Sequence, residues 1–149
     1  MDCCHGHGHC KSDALTRAEA FCAERNLRFT ESRRKVFDVL WQSHHAMTAH
    51  DIMQALGNNQ PPVTYRALEF LQENGLIHSI PSLNAYVGCH FVGEHHTGQM
   101  MVCRDCKHVT EIDLALPKLD SIAAANGFKI DHMHIEVLGQ CRECQTRAG

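Results

Sequence analysis

The chain has 149 residues, 44% hydrophobic and 21% charged, which excludes a disordered or membrane-spanning polypeptide and bounds it to one ordinary domain or two small ones. Its longest apolar runs are only a few residues and its N-terminus has no apolar signal segment, so a cytoplasmic protein with reduced thiols and no membrane partner is expected. The net charge is −3, with eight Lys/Arg against nine Asp/Glu in residues 1–90 and six against eight in the remainder, so no basic domain is present and any nucleic-acid contact must be a small local patch.

The first ten residues, MDCCHGHGHC, hold three cysteines and three histidines separated by glycines. They read as part of a flexible Cys/His-rich tail, residues 1–11, that binds metal loosely or not at all, with zinc scavenging or hand-off to a sensor site as the alternative. The segment SDALTRAEAFCAERN then places Leu15, Ala18, Phe21 and Cys22 on one helical face. TESRRKVFDVLWQS follows, with Thr30 as N-cap and Val36, Phe37, Leu40 and Trp41 as its apolar stripe. TAHDIMQALG is a third, shorter helix, with Thr48 and Asp51 spaced as a capping box and Gly57 as its stop. NNQPP makes a turn, and its second proline suits the start of a fourth helix, PVTYRALEFLQENG, that turns Leu68 and Leu71 inward. LIHSIPSLNAYVG reads as two short strands around a Pro-Ser-Leu-Asn turn. Helices in that order followed by a hairpin predict a winged helix-turn-helix over residues 12–89.

After Cys89 the pattern changes. QMMVC, HVTEI and FKIDHMHIEVLG read as strands, and a helix from Pro117 to Asn126 is closed by Gly127. The apolar phase of the last strand switches from Phe128/Ile130 to Met133/Ile135/Val137, which predicts a bulge near Asp131. Residues 90–149 thus form a small α/β unit whose core is marginal at that size, so it needs a staple or a partner subunit, and both are expected. The expected class is α+β: an N-terminal winged-helix DNA-binding domain and a small C-terminal α/β domain.

The staple is legible. CRDC at Cys103 and Cys106 and CREC at Cys141 and Cys144 supply four thiolates, the donor set of a closed tetrahedral zinc site. Nine cysteines, an odd count, also argue against a disulfide framework. A nucleobase-deaminase arrangement is excluded, because Glu136 lies too near Cys141 and no proline precedes that cysteine. Thr64, Tyr65 and Arg66 open the fourth helix, where a helix-turn-helix meets the major groove, and Arg33, Arg34 and Lys35 could add phosphate contacts. His78, Cys89, His95, His96 and Glu111 are scattered, and spacing alone does not assemble them.

Together, PPVTYRALEFLQENGLIH, NAYVGCH, HHTGQMMVCRDCKHVTEI and GFKIDHMHIEVLGQCREC, in that order, resemble the ferric uptake regulator superfamily, and within it the zinc uptake regulators, over about residues 14–146. The resemblance implies a homodimeric repressor of zinc-uptake genes that binds an AT-rich palindromic DNA operator, with the small C-terminal α/β domain as its dimerisation domain. It implies a structural Zn²⁺ on Cys103, Cys106, Cys141 and Cys144, and at least one regulatory Zn²⁺ on His78, Cys89, His96 and Glu111, with His95 as the alternative to His96. It places Tyr65 and Arg66 at DNA. Gln99 and Met100 stand where some relatives carry further ligands, and His50 where some carry a DNA-touching tyrosine. Iron, manganese or peroxide sensing is the nearest alternative, and a zinc storage or chaperone protein the more distant one. No enzyme is expected, because four protein ligands leave zinc no open position.

Overall fold

The computed structural model describes residues 9–43, 45–57, 60–90, 92–93, 98–131 and 133–149, with side chains from residue 13 onward. The chain divides into two compact units, Met1–Glu94 and His95–Gly149.

The first unit begins with α1 (His9–Glu24), so His9 to Lys11 of the expected tail are helical. Ala14, Ala18 and Cys22 recur every fourth residue on α1 and are buried. In α2 (Glu31–Gln42) the Thr30 hydroxyl accepts the Arg33 amide at 3.4 Å, a side-chain N-cap. Val36, Phe37 and Leu40 of that helix enter the core, as their stripe predicts. α3 (Ala49–Leu56) carries the full capping box: Asp51 N donates to Thr48 Oγ1 at 3.1 Å, and Thr48 N donates to Asp51 Oδ2 at 2.9 Å. The Thr48 hydroxyl, donating to Asp51 Oδ2 at 2.7 Å, and then the Thr48 amide hold the Asp51 carboxyl below its usual range. Gly57 ends the helix at φ +64°, a conformation in which a Cβ would be strained.

Both prolines sit in the first turn of α4 (Pro61–Glu73), where the missing amides have no helical partner to lose. Phe37, Leu40, Ile52, Leu68 and Leu71, with Leu76 and Ile77 after the helix, make one apolar core. The hairpin pairs β1 (Ile77–Ile80) with β2 (Ala85–Gly88), antiparallel, with Ile77 opposite Gly88 and Ile80 opposite Ala85. Asn84, at φ +48°, closes the short turn between them. The other edge of β2 is bridged by Met47, whose N donates to Tyr86 O at 3.0 Å and whose O accepts Tyr86 N at 2.8 Å.

The second unit holds β3 (Gly98–Cys103), β4 (Val109–Ile112), α5 (Pro117–Ala125), β5 (His134–Gly139) and α6 (Arg142–Arg147). The sheet order is β4-β3-β5, with β4 antiparallel and β5 parallel to β3. The chain reaches β5 by way of α5, the crossover that a parallel pair requires. Buried Gln99 donates from Nε2 to Leu114 O at 2.8 Å and accepts Leu114 N at 2.9 Å, pinning the chain as it leaves β4.

Two expectations change here. The last strand is shorter than residues 128–139, since only His134–Gly139 pairs with β3. Phe128 N instead donates to Ala123 O at 2.8 Å and belongs to the end of α5, so the phase switch near Asp131 marks a strand boundary and not a bulge. The six-residue α6 was not expected, because a helix that short leaves no periodic signal. No helix among the described residues is long and apolar enough to cross a membrane.

Candidate metal centres and DNA-reading helix

The clearest site lies in the second unit. Cys103 ends β3, Cys106 follows one turn later, Cys141 caps α6 and Cys144 lies in its first turn. Their sulfurs all lie within 4.8 Å of one another. Cys106 Sγ and Cys141 Sγ are 3.7 Å apart, close to the tetrahedral edge of about 3.8 Å that zinc–sulfur bonds of about 2.3 Å generate. All four are free thiols, and Cys103 and Cys144 are buried.

Local backbone structure builds the first knuckle. Cys103 N donates to His108 O at 2.9 Å and Lys107 N to Cys103 O at 3.1 Å, around a left-handed Lys107 at φ +64°. The two knuckles are then tied together. Arg104 N donates to Gly139 O at 2.9 Å, and Gln140 Nε2 to Asp105 Oδ2 at 2.6 Å. Sequence reading missed the Asp105–Gln140 clamp, because both residues look like ordinary surface polar groups.

The thiols sit in unequal fields. Backbone N–H groups of Cys106 and Cys141 point at Cys103 and bring it down to about 6, the second of them seen as Cys141 N donating to Cys103 Sγ at 3.3 Å. The neighbouring Cys141 thiol, then burial, push Cys144 up to about 12. Four sulfurs this close cannot all ionise without a cation among them. The donor set therefore fits a divalent thiophilic ion, with zinc the natural occupant.

His78 and Cys89 come together in the first unit. His78 lies on β1 opposite Val87, Cys89 directly follows β2, and Cys89 N donates to Leu76 O at 3.0 Å. A ring nitrogen of His78 and Cys89 Sγ lie within 4.8 Å of each other, and Cys89 is fully buried. Glu111 is in the second unit, half-buried on β4 opposite Met100. His95 and His96 lie outside the described residues. Gln99 is the buried Leu114 clamp, occupied by backbone and not poised as a ligand.

On α4, Tyr65 is 52% exposed and Arg66 is exposed, both in the second turn of the helix. Thr64 is corrected: at 2% exposed it faces the core, one turn before Ala67 and Leu68 and two before Leu71. The phase that Thr64 shares with Ala67, Leu68 and Leu71 is readable in the sequence, although Thr64 also lies near the helix start. The basic run on α2 is largely engaged as well. Arg33 stacks its guanidinium 3.5 Å over the Phe70 ring, Arg34 pairs with Glu19 and Glu31, and the more exposed Lys35 pairs with Glu31 at 3.8 Å.

The sequence model of the ferric uptake regulator family matches residues 24–138. The chain belongs to that family. It is 35% identical over 139 residues to the zinc uptake regulation protein of Escherichia coli (strain K12), covering 89% of this chain and 81% of that one. A solved structure of a zinc uptake regulator complexed with zinc and DNA aligns at TM-score 0.83 and 35% identity, over 93% of this chain and 98% of that one. The crystal structure of holo XcZur aligns at TM-score 0.83 and 30% identity, over 91% and 99%. This family of transcription regulators has the fold class expected here, a helical winged-helix region followed by a small α/β region.

Proposed function

We propose that the protein is a cytoplasmic zinc-responsive repressor of zinc-uptake genes, a DNA-binding protein and not an enzyme. What supports the reading most is the likeness, over nearly the whole chain, to a zinc uptake regulator solved with zinc and DNA. The four-thiol cluster at Cys103, Cys106, Cys141 and Cys144 is then a structural zinc site, closed to substrate by its full set of protein ligands. His78, Cys89, His96 and Glu111 are the regulatory ligands. One thiolate, two imidazoles and one carboxylate suit four-coordinate zinc better than a hard octahedral ion.

The regulatory ligands come from both units, and this gives the chain a switch. His78 and Cys89 belong to the winged helix and Glu111 to the second unit, so closing the ligand set restricts how one unit is carried on the other. In a homodimer this sets the spacing of the two α4 helices, which must lie about 34 Å apart, or a multiple, to enter successive major grooves of a palindromic, AT-rich operator. Restricting the dimer to competent orientations raises apparent DNA affinity by the gain in competent fraction. Zinc supplies the Lewis-acid centre that holds these ligands together. On the DNA side, the exposed Arg66 reads guanine edges and the exposed Tyr65 contacts a thymine methyl or phosphate, while buried Thr64 seats the helix start.

A second copy has a surface to cover. Leu114, Leu119, Ile122, Phe128, Val137 and Leu138 are all exposed in the second unit, a density of apolar side chains that isolated monomers avoid.

The test is fluorescence anisotropy of a labelled AT-rich palindrome while buffered free zinc is raised. Wild type should bind only as zinc rises. Cys89→Ser should need far more zinc while keeping its four-cysteine zinc and its dimer, and Arg66→Ala should lose about 1–3 kcal/mol of DNA affinity at every zinc level. Equal binding by wild type and Cys89→Ser with zinc chelated would sink the switch.

A further inference from the structure

Trp41, the chain's single tryptophan, stands at the end of α2 with its indole against the strand that delivers Cys89. Gly88 shows how close that approach is. A Cβ there would lie 2.9 Å from Trp41 Nε1, 3.1 Å from Cδ1 and 3.2 Å from Cε2. Gly88 is not in the left-handed region, so bond rotation does not call for glycine at this strand position. Space does: the indole lies on bare backbone. On the other side of Cys89, the His90 ring meets the indole edge-on, with centroids 4.9 Å apart and planes at 63°. Trp41 thus touches both residues that flank Cys89 in the chain.

The indole is itself held. Its ring centroid lies 6.0 Å from that of Phe37, in the core. Its Nε1 is buried and has no hydrogen-bond partner among the described residues. An orphaned donor is a cost that a purely space-filling side chain would avoid, since phenylalanine or leucine would bring none. The strand beneath is fixed on both edges, by β1 on one side and Met47 on the other. α2 also places Phe37 and Leu40 in the same core as Leu68 and Leu71 of α4. Trp41 therefore joins the backbone around Cys89 to α2, which shares its core with the helix that presents Tyr65 and Arg66.

We propose that Trp41 is a positioning residue for Cys89: wedged between Gly88 and His90, it fixes the direction in which the thiolate reaches metal and ties that direction to α4. The proposal rests on the reading of Cys89 as a regulatory ligand.

The test uses the full chain with its four-cysteine site filled by zinc, and with Cys3, Cys4 and Cys10 of the tail changed to serine throughout so that they contribute no thiolate band, titrated with cobalt(II) as an optical probe and with zinc by competition. Wild type should develop a thiolate-to-cobalt charge-transfer band, and Cys89→Ser should lose it. Trp41→Phe removes the orphaned donor and part of the wedge, and Gly88→Ala forces the indole to shift. Each should weaken this site about 10-fold or more and displace or weaken the band, with four-cysteine zinc content and helix content unchanged. Wild-type affinity and band in both variants would overturn the proposal and leave Cys89 a ligand. A Cys89→Ser protein that keeps the band would overturn the reading beneath it. Should Trp41→Phe fail to fold, Gly88→Ala and the emission of Trp41 in the unaltered chain decide. That emission should change as the second metal equivalent is taken up, and constant emission would overturn the proposal.

Discussion

The two units of this chain reach stability by different routes. The first buries Phe37, Leu40, Ile52, Leu68, Leu71, Leu76 and Ile77 in one continuous core under capped helices. The second buries Met100, Val102, Val109 and Ala123, adds the amide of Gln99, and leaves Ile122, Phe128, Val137 and Leu138 in solvent. A unit that small with so little apolar burial does not outweigh its conformational entropy. On the proposed reading, zinc on its four converging thiols and a second copy over its uncovered apolar side chains supply the missing stabilisation. The winged helix is therefore a body that carries function on its surface, whereas the second unit is folded by the same interactions that give it function.

Breaking the comparison is most direct at the thiols. Cys106→Ser should unfold the second unit and abolish dimers while the first unit keeps its helices, because a structural zinc contributes about 10–16 kcal/mol of folding free energy. Residue-resolved NMR with sedimentation velocity would check it. Chemical shifts of the second unit that stay dispersed in the variant would mean that unit needs no metal. A smaller effect is expected at the exposed apolar side chains. Ile122→Lys together with Val137→Lys should shift the protein to monomer without releasing zinc, since both are solvent-facing in a single chain. An unchanged dimer by sedimentation would move the interface elsewhere.

The smallest effect sharpens the picture of the first unit. Thr48→Ala should cost about 1 kcal/mol of its stability and leave the second unit untouched. Thr48 holds the Asp51 carboxyl below its usual range, so this contribution is present above the ordinary carboxylate pKa and lost as pH falls through the lowered value. The gap between wild type and variant in urea melts should therefore narrow in acid. A gap that is the same at every pH would mean the capping box is not its source.

Local chemistry makes much of this legible in the sequence. Thr30, the Thr48/Asp51 box, Gly57 and the proline pair marked helix ends because each satisfies or forgoes particular backbone groups, independent of what packs against them. The CxxC pairs announced their chemistry for the same reason: two thiolates one turn apart need only a turn. Where the reading went astray, a residue's role depended on a distant partner. Thr64 looked like a groove contact until the phase it shares with Ala67, Leu68 and Leu71 turned it to the core. Arg33 and Arg34, which the sequence offers as phosphate contacts, also have partners within the chain in Phe70, Glu19 and Glu31.

By itself, then, the sequence determined the order of the elements up to β5, the caps of α2 and α3, the four-cysteine donor set and the likeness to a family of regulators. Those follow from contacts within a few residues or from residue types at short spacing. Only the tertiary structure decided that the knuckles meet at tetrahedral distance, that His78 lies beside Cys89 across a hairpin, and that Trp41 presses on the backbone at Gly88. Each of these pairs residues separated along the chain. No spacing rule fixes such a meeting, because it depends on strand register and on how the core packs around it.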